Sequence, residues 1–160
     1  MRNEELVRKW KGNKRYTLKF VDALPKEDFD FKPSSEVKSY KSQLSHITSW
    51  LRTHSRFVTD NAFAKSSLRD SRPTGERSGK AKLTSKDLIR TALEEFFDAF
   101  LEKLEQMTDE QLNETVDVWY GKRTRYEIAN VMDNHLSHHR GQLVVYLRLK
   151  NVKPPSYLGW

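Results

Sequence analysis

Residues 125–150 read RYEIANVMDNHLSHHRGQLVVYLRLK and carry the clearest periodic pattern of the chain. Apolar residues and two histidines recur at steps of three and four, which is the spacing of one face of an α-helix. The residues of this face are Ile128, Met132, His135, His139, Leu143 and Tyr146. Thr124 and Glu127 form a capping-box pattern before it, and Asn151 is a typical C-cap residue after it. We therefore expect a long helix with one buried face.

Two segments in the N-terminal half of the chain also have helical spacing. Residues 3–24 carry apolar side chains at steps of three and four up to Pro25, which ends the helix. A second helix is expected to begin after a cap at Ser34 or Ser35. Its apolar stripe consists of Tyr40, Leu44, Ile47, Leu51 and Val58.

A third helix is expected to begin at the capping-box pattern of Thr84 and Asp87 and to run to about Gln106. Residues 65–82 have no apolar periodicity and many basic residues, so they predict a long basic loop between helices two and three. Residues 116–120 alternate apolar and polar and predict a short extended piece without a convincing strand partner. The fold expected is all-α, a four-helix bundle of the up-and-down type.

Length and composition predict a folded, cytoplasmic protein. The 160 residues are expected to form a single domain, residues 1–160. Leu, Ile, Val and Phe account for 38 residues, about 24%, above the roughly 20% that is typical of disordered chains. The absence of cysteine excludes disulfides, thiolate metal sites and a cysteine nucleophile. The charged N-terminus is unlike a secretory signal, and no apolar run is long enough for a membrane span.

The net charge of +7 raises the question of an anionic partner. The excess lies partly in the basic loop 65–82, where a solvated surface explains it. The sequence has no recognition-helix, zinc-finger or RNA-binding signature. We therefore expect no specific binding of nucleic acid.

The histidines are the strongest chemical signal. His135 and His139 lie four residues apart on the core-facing side of one helix, whereas His138 points about 100° away. A shared divalent cation would account for two imidazoles on a buried face, and two core histidines with hydrogen-bond partners are the alternative. A third ligand is expected from a facing helix, and spacing allows either His46 or His54. Three histidine ligands leave one coordination position open, as in catalytic zinc sites.

Other catalytic motifs are incomplete. No glutamate has a histidine three residues later, as di-iron carboxylate bundles require. The fragment GERSGK at residues 75–80 has three residues between its glycines, where a phosphate-binding loop has four, and Ala81 replaces the Mg²⁺-binding hydroxyl. A Ser-His-acid triad stays open, but no nucleophile-elbow motif supports it.

Three stretches resemble the DinB/YfiT-like superfamily of four-helix metal-binding proteins. The most specific is HLSHHRGQLVVYLRLKNVKPPSYLGW at residues 135–160, with its His-x-x-x-His-Arg-Gly-Gln core and proline-containing tail. DALPKEDFDFKP at residues 22–33 resembles the segment after the family's first helix, and SYKSQLSHITSW at residues 39–50 resembles its second-helix motif. The resemblance covers most of the chain outside the basic loop.

The resemblance implies a metal site made by His46, His135 and His139, with His138 a neighbour and not a ligand. We expect Gln142 to orient a ligand or a bound water. The resemblance also implies a divalent metal ion, with Zn or Ni expected from the imidazole ligands. It further implies a metal-dependent S-transferase that adds a low-molecular-weight thiol to an electrophile, and it assigns no catalytic residue beyond the metal ligands. A metal-dependent hydrolase and a non-catalytic metal-containing binding module are the alternatives. Small-molecule thiol and electrophile substrates, and a homodimer, are the partners expected.

Overall fold

The computed structural model describes residues 2–61, 63 and 83–157; the whole of the predicted basic loop 65–82 lies outside the described residues. The elements are α1 (Arg2–Ala23), a 3₁₀ turn (Lys26–Asp28), α2 (Tyr40–Thr59), α3 (Lys86–Glu105), α4 (Asp109–Asn113), β1 (Thr115–Val118), β2 (Gly121–Thr124) and α5 (Arg125–Leu149). Within these residues, α1, α2, α3 and α5 are the long helices and pack against one another, which confirms the all-α bundle. None of the described helices is long and apolar enough to cross a bilayer.

Helices α2 and α5 lie side by side and run in opposite directions. At one end, the hydroxyl of Tyr146 donates to the carbonyl oxygen of Lys38 at 2.6 Å. At the other end, Nη1 of Arg125 donates to the carbonyl oxygen of Val58 at 2.8 Å. This confirms that the second and the last predicted helix are adjacent, and it places their middle turns opposite each other.

The core between the helices is rich in aromatic rings. Trp10 of α1 is fully buried, with its ring centroid 4.9 Å from Phe100 and 6.2 Å from Phe97 of α3. Phe29 is buried and Phe31 is partly buried, as the sequence predicts for the segment after α1. Such rings bury a large area each, which compensates for a lean apolar composition.

The start of α2 differs from the prediction. Its N-cap is Ser39, whose hydroxyl accepts a hydrogen bond from the backbone N–H of Ser42 at 3.2 Å, and neither Ser34 nor Ser35 caps it. The first residue of the helix donates its N–H to the carbonyl oxygen of Phe31 at 3.0 Å. The preceding segment therefore supplies a partner for a free helical N–H group, and the helix begins where that partner lies.

The start of α3 is shifted by one residue. Ser85, and not Thr84, is the N-cap, because its hydroxyl accepts from the N–H of Leu88 at 3.2 Å. The Thr84–Asp87 capping box is therefore wrong. The apolar spacing of residues 88–104 predicts that Leu88 lies on the buried face of this helix. Leu88 is instead 49% exposed, and Ile89 is buried in its place. One residue on a helix is a rotation of about 100°.

A small antiparallel hairpin precedes α5. Strand β1 pairs with β2 in a register that sets Val118 opposite Gly121, and it buries Val116 and Val118. The extended piece expected at residues 116–120 is confirmed in part, but the expectation that it lacks a strand partner is wrong. Gly121 has a φ of 108°, a conformation that residues with a side chain rarely adopt. Strand β2 has the sequence GKRT, which shows no alternation of apolar and polar residues, so the sequence pattern does not reveal the partner of β1.

Both ends of α5 agree with the sequence. The backbone N–H of Thr124 donates to Oε2 of Glu127 at 2.7 Å, and the Thr124 hydroxyl accepts from the N–H of Glu127 at 3.1 Å. This is the predicted capping box. Asn151, one residue after the C-cap Lys150, has a φ of 56° and ends the helix in the left-handed conformation.

A buried polar network joins α1 to α5. Asn13 is fully buried; its Nδ2 donates to Oδ1 of Asp133 at 2.9 Å, and its Oδ1 accepts from Nη1 of Arg140 at 2.7 Å. Lys9 lies 3.4 Å from the second carboxylate oxygen of Asp133. The network thus pairs a buried carboxylate and a buried guanidinium through one amide, on residues that flank the histidine pair.

Candidate metal centre

His46, His135 and His139 form one cluster where α2 faces α5. The ring centroid of His46 is 5.3 Å from that of His135 and 4.8 Å from that of His139, and the two rings on α5 are 4.5 Å apart. One nitrogen atom from each ring lies within 4.8 Å of the others, so the cluster could hold a metal ion. The structure therefore brings together the three histidines that the resemblance implies.

The other two histidines lie outside the cluster. His54, the alternative that spacing left open, is two turns beyond His46 on α2 and is buried, and its Nδ1 lies 3.0 Å from the carbonyl oxygen of Trp50. His138 is exposed, as the helical phase predicts. His139 is buried, whereas His135, expected on the same buried face, is half-buried.

Two glutamine side chains fix the tautomer of His139. Nδ1 of His139 lies 2.9 Å from Oε1 of Gln43 and 3.0 Å from Oε1 of Gln142. An amide oxygen only accepts, so Nδ1 carries the proton and Nε2 keeps its lone pair for a ligand. The amide nitrogen of Gln142 is 3.2 Å from Nε2 of His138, which turns its oxygen toward His139. This contact agrees with the orienting role expected for Gln142.

Gln43 was not identified from the sequence. It lies three residues before His46, so both residues are on one face of α2, and that spacing is the signal that could have revealed it. A second layer of hydrogen bonds that orients the ligating imidazole is usual in metal sites.

His135 is held by stacking. The indole of Trp50 stacks on His135 with centroids 3.9 Å apart and on His54 with centroids 3.6 Å apart, both at 15° between planes. Two rings at these distances cannot share one face of an indole, so the imidazoles lie on opposite faces of Trp50. This arrangement could not be predicted from the sequence, because it depends on contacts between helices.

The electrostatics of the cluster favour neutral imidazoles. Burial is the main reason why all three imidazoles have a lowered pKa. The pKa of His135 is lowered to about 3 and that of His139 to about 4, and the pKa of His46 is also lowered. The neighbouring imidazoles repel a second positive charge, and the ammonium of Lys38 adds to this repulsion at His46 and His139. No carboxylate of the described residues counters these effects.

This donor set fits a divalent metal ion. Neutral imidazoles are ligands for Zn, Ni, Fe and Cu, and a lowered pKa keeps the lone pairs available at neutral pH. His139 has its tautomer set by Gln43 and Gln142, and His135 has its ring plane set by Trp50. Three ligands leave room for an exchangeable fourth.

The metal-free protein is expected to lose stability as the pH falls below about 6.5, the ordinary pKa of histidine in an unfolded chain. The folded-state pKa of His135 is about 3 and that of His139 about 4, so over this range the unfolded chain binds more protons. The stabilisation is present above about pH 6.5 and is lost as the pH falls toward 4. Urea unfolding between pH 7 and 4.5 in the presence of a chelator measures it.

The matched control for this titration is the double variant His135→Gln/His139→Gln. Its free energy of unfolding should depend less steeply on pH over the same range. Equal slopes in the two proteins would show that these imidazoles do not have lowered pKa values.

Comparison with known proteins agrees with this fold. The chain resembles the crystal structure of a DinB-like protein from Bacillus cereus, with a TM-score of 0.75 and 20% identity over 97% of each chain. It also resembles that of a DinB-like protein from Bacillus subtilis, with a TM-score of 0.69 and 18% identity over 98% of this chain and 96% of that one. No curated protein matches significantly. The DinB family model matches residues 1–158, and the chain belongs to the DinB family.

Proposed function

We propose that His46, His135 and His139 bind a divalent metal ion, with Zn or Ni expected, and that the protein is a metal-dependent S-transferase. It would add a low-molecular-weight thiol to a small electrophile. The observation that carries the proposal is the convergence of three imidazoles from two helices. Three protein ligands would leave one coordination position of a bound metal for an exchangeable ligand.

The absence of negative charge among the described residues of the cluster favours an anionic ligand, such as a thiolate, on the bound metal. The three imidazoles are neutral and no described carboxylate influences them, so nothing in the described cluster neutralises a divalent cation. The ammonium of Lys38 adds a further positive charge. When bound, a divalent cation lowers the pKa of a coordinated thiol, so that the thiol ionises at neutral pH.

The residues of the chain would position the metal and the thiol, and the proton of the thiol would pass to solvent. Asp133 is the carboxylate closest in sequence to His135, but it bonds to Asn13 and lies against Lys9 on the α1 side. In the transfer, the thiol proton goes to solvent, sulfur forms a bond to the electrophilic carbon, and the leaving group departs with its electron pair. Lys38 would attract an anionic thiol toward the site.

The test uses protein loaded with Co²⁺, whose bonds to sulfur absorb in the near ultraviolet. Addition of cysteine or 2-mercaptoethanol should produce this absorption in the wild type and not in His46→Ala. A generic aryl halide or epoxide should then consume the thiol only in the presence of the loaded wild type.

Two results would redirect the assignment. Hydrolysis of an ester or amide by the metal-loaded protein, without acceleration by any thiol, would favour the hydrolase. Metal binding with neither activity would favour a non-catalytic metal-containing module.

Replacing Gln43 by Leu is expected to weaken metal affinity by about 10- to 100-fold, the usual effect of losing a group that orients a ligand. Gln43→Leu removes an acceptor of the Nδ1 proton of His139 but no metal ligand. Competition with a chromophoric chelator measures the affinity. Gln43→Glu keeps an acceptor oxygen and should retain most of it; equal losses in both variants would mean that the hydrogen bond is not the cause.

A further inference from the structure

The imidazole of His135 is supported differently from that of His139. Nδ1 of His139 lies within hydrogen-bond distance of two glutamine oxygens, whereas neither ring nitrogen of His135 has a hydrogen-bond partner among the described residues. A metal-binding histidine usually has its ring orientation set by a hydrogen bond to its second nitrogen. The nearest ring to His135 is instead the indole of Trp50, at 3.9 Å between centroids. The stack is therefore the contact that can orient this imidazole.

The indole of Trp50 is held in turn by His54. The imidazole of His54 stacks on the face of the indole away from His135, with centroids 3.6 Å apart and 15° between the planes. Nδ1 of His54 lies 3.0 Å from the carbonyl oxygen of Trp50, which can only accept, so Nδ1 donates this hydrogen bond. The bond restricts rotation of the His54 ring. His54 thus contacts both the side chain and the backbone of Trp50.

The burial of His54 is unfavourable unless its flat ring has a role. The side chain is 1% exposed, and its Nε2 atom is buried without a hydrogen-bond partner in the part of the chain that the structure describes. Such an atom destabilises a fold, and an aliphatic side chain would avoid that loss. Burial lowers the pKa of His54 to about 4, so the ring is uncharged at pH 7. A flat uncharged ring can lie parallel to the indole, whereas an aliphatic side chain cannot.

We propose that His54 acts on the metal centre through Trp50, and that both are positioning residues for the ligand His135. The indole fixes the plane of the His135 imidazole, and His54 fixes the indole. This stack of three rings takes the place of the hydrogen bonds that orient His139. The inference rests on the proposed metal site and is independent of the proposed transferase activity.

The first measurement is the affinity for Zn²⁺, obtained by competition with a chromophoric chelator in the absence of thiol. Trp50→Leu removes the flat surface and should weaken binding by about 10- to 100-fold, the usual effect of losing a group that orients a ligand. Trp50→Phe keeps an aromatic ring and should retain most of the affinity. His54→Leu should weaken binding by less than Trp50→Leu, because the indole remains, and His54→Phe should bind more tightly than His54→Leu.

Trp119→Leu is the matched control. Its indole is 52% exposed, and it belongs to the hairpin rather than to the cluster. This variant should therefore bind Zn²⁺ as the wild type does. If Trp50→Leu does not fold, the two variants of His54 decide whether the stack orients the ligand.

The second measurement is made on metal-free protein by ¹H NMR. The ring current of a stacked indole moves the ring-proton signals of His135 upfield. This displacement should be present in the wild type, smaller in His54→Leu and absent from Trp50→Leu. A wild type that shows the displacement but binds no Zn²⁺ would refute the metal site, and with it the role of the stack. Equal affinities of Trp50→Leu, Trp50→Phe and the wild type, with Zn²⁺ bound by all three, would overturn the positioning role alone.

Discussion

We expect His139→Ala to abolish stoichiometric metal binding and His138→Ala to leave most of it. His139 is buried, lies in the cluster with His46 and His135, and has its proton held on Nδ1 by two glutamine oxygens. His138 is exposed and outside the cluster. Loss of a metal ligand should lower the metal affinity by more than the roughly 10- to 100-fold that follows loss of a group that orients a ligand.

Isothermal titration calorimetry of each variant with Zn²⁺ or Ni²⁺ measures the affinity and the number of ions bound per chain. The two variants differ by one position on the same helix and remove the same side chain, so non-specific imidazole binding falls equally in both. A similar loss of affinity in the two variants would contradict the assignment of His139.

Asn13→Ala is expected to destabilise the fold by about 3 kcal/mol, since it leaves two buried charged groups without their shared partner. The Asn13 amide bonds to Asp133 at 2.9 Å and to Arg140 at 2.7 Å. Replacement by alanine also leaves a small cavity between α1 and α5. Denaturant unfolding measures the change.

Asn134→Ala is the matched control, because Asn134 is an exposed amide on the same helix as Asp133. Its effect should stay within about 0.5 kcal/mol. A loss of less than about 1 kcal/mol in Asn13→Ala would show that water replaces the amide and that the network contributes little.

The features predicted correctly depend on local periodicity. The steps of three and four in residues 125–150 separate His139 from His138, and the capping box of Thr124 and Glu127 begins α5 as expected. Helical phase is a property of the helix alone, so the sequence is sufficient to assign it.

The features missed depend on contacts between segments. Ser39 caps α2 with its hydroxyl, and the carbonyl oxygen of Phe31 accepts from the first N–H of the helix, a contact that local patterns do not contain. Spacing also left His46 and His54 equivalent, since both lie on the inner side of α2. The family resemblance favoured His46, and the facing helix shows the physical reason, because it places His135 and His139 beside His46.

The residues that orient the histidines were also not predicted, because their roles depend on contacts between helices. Gln43 and Trp50 read as ordinary residues of α2, and their roles arise from the rings of His139 and His135 on α5. A search for polar or aromatic residues one turn from a candidate ligand would have found both.

The metal content of the untagged protein tests the central claim most directly. Elemental analysis of wild type purified without added metal or chelator, beside His46→Ala prepared in the same way, needs no knowledge of a substrate. Binding by His46, His135 and His139 predicts about one divalent ion per wild-type chain and only trace metal in the variant. Equal trace amounts in both proteins, unchanged after incubation with Zn²⁺ or Ni²⁺, would contradict it.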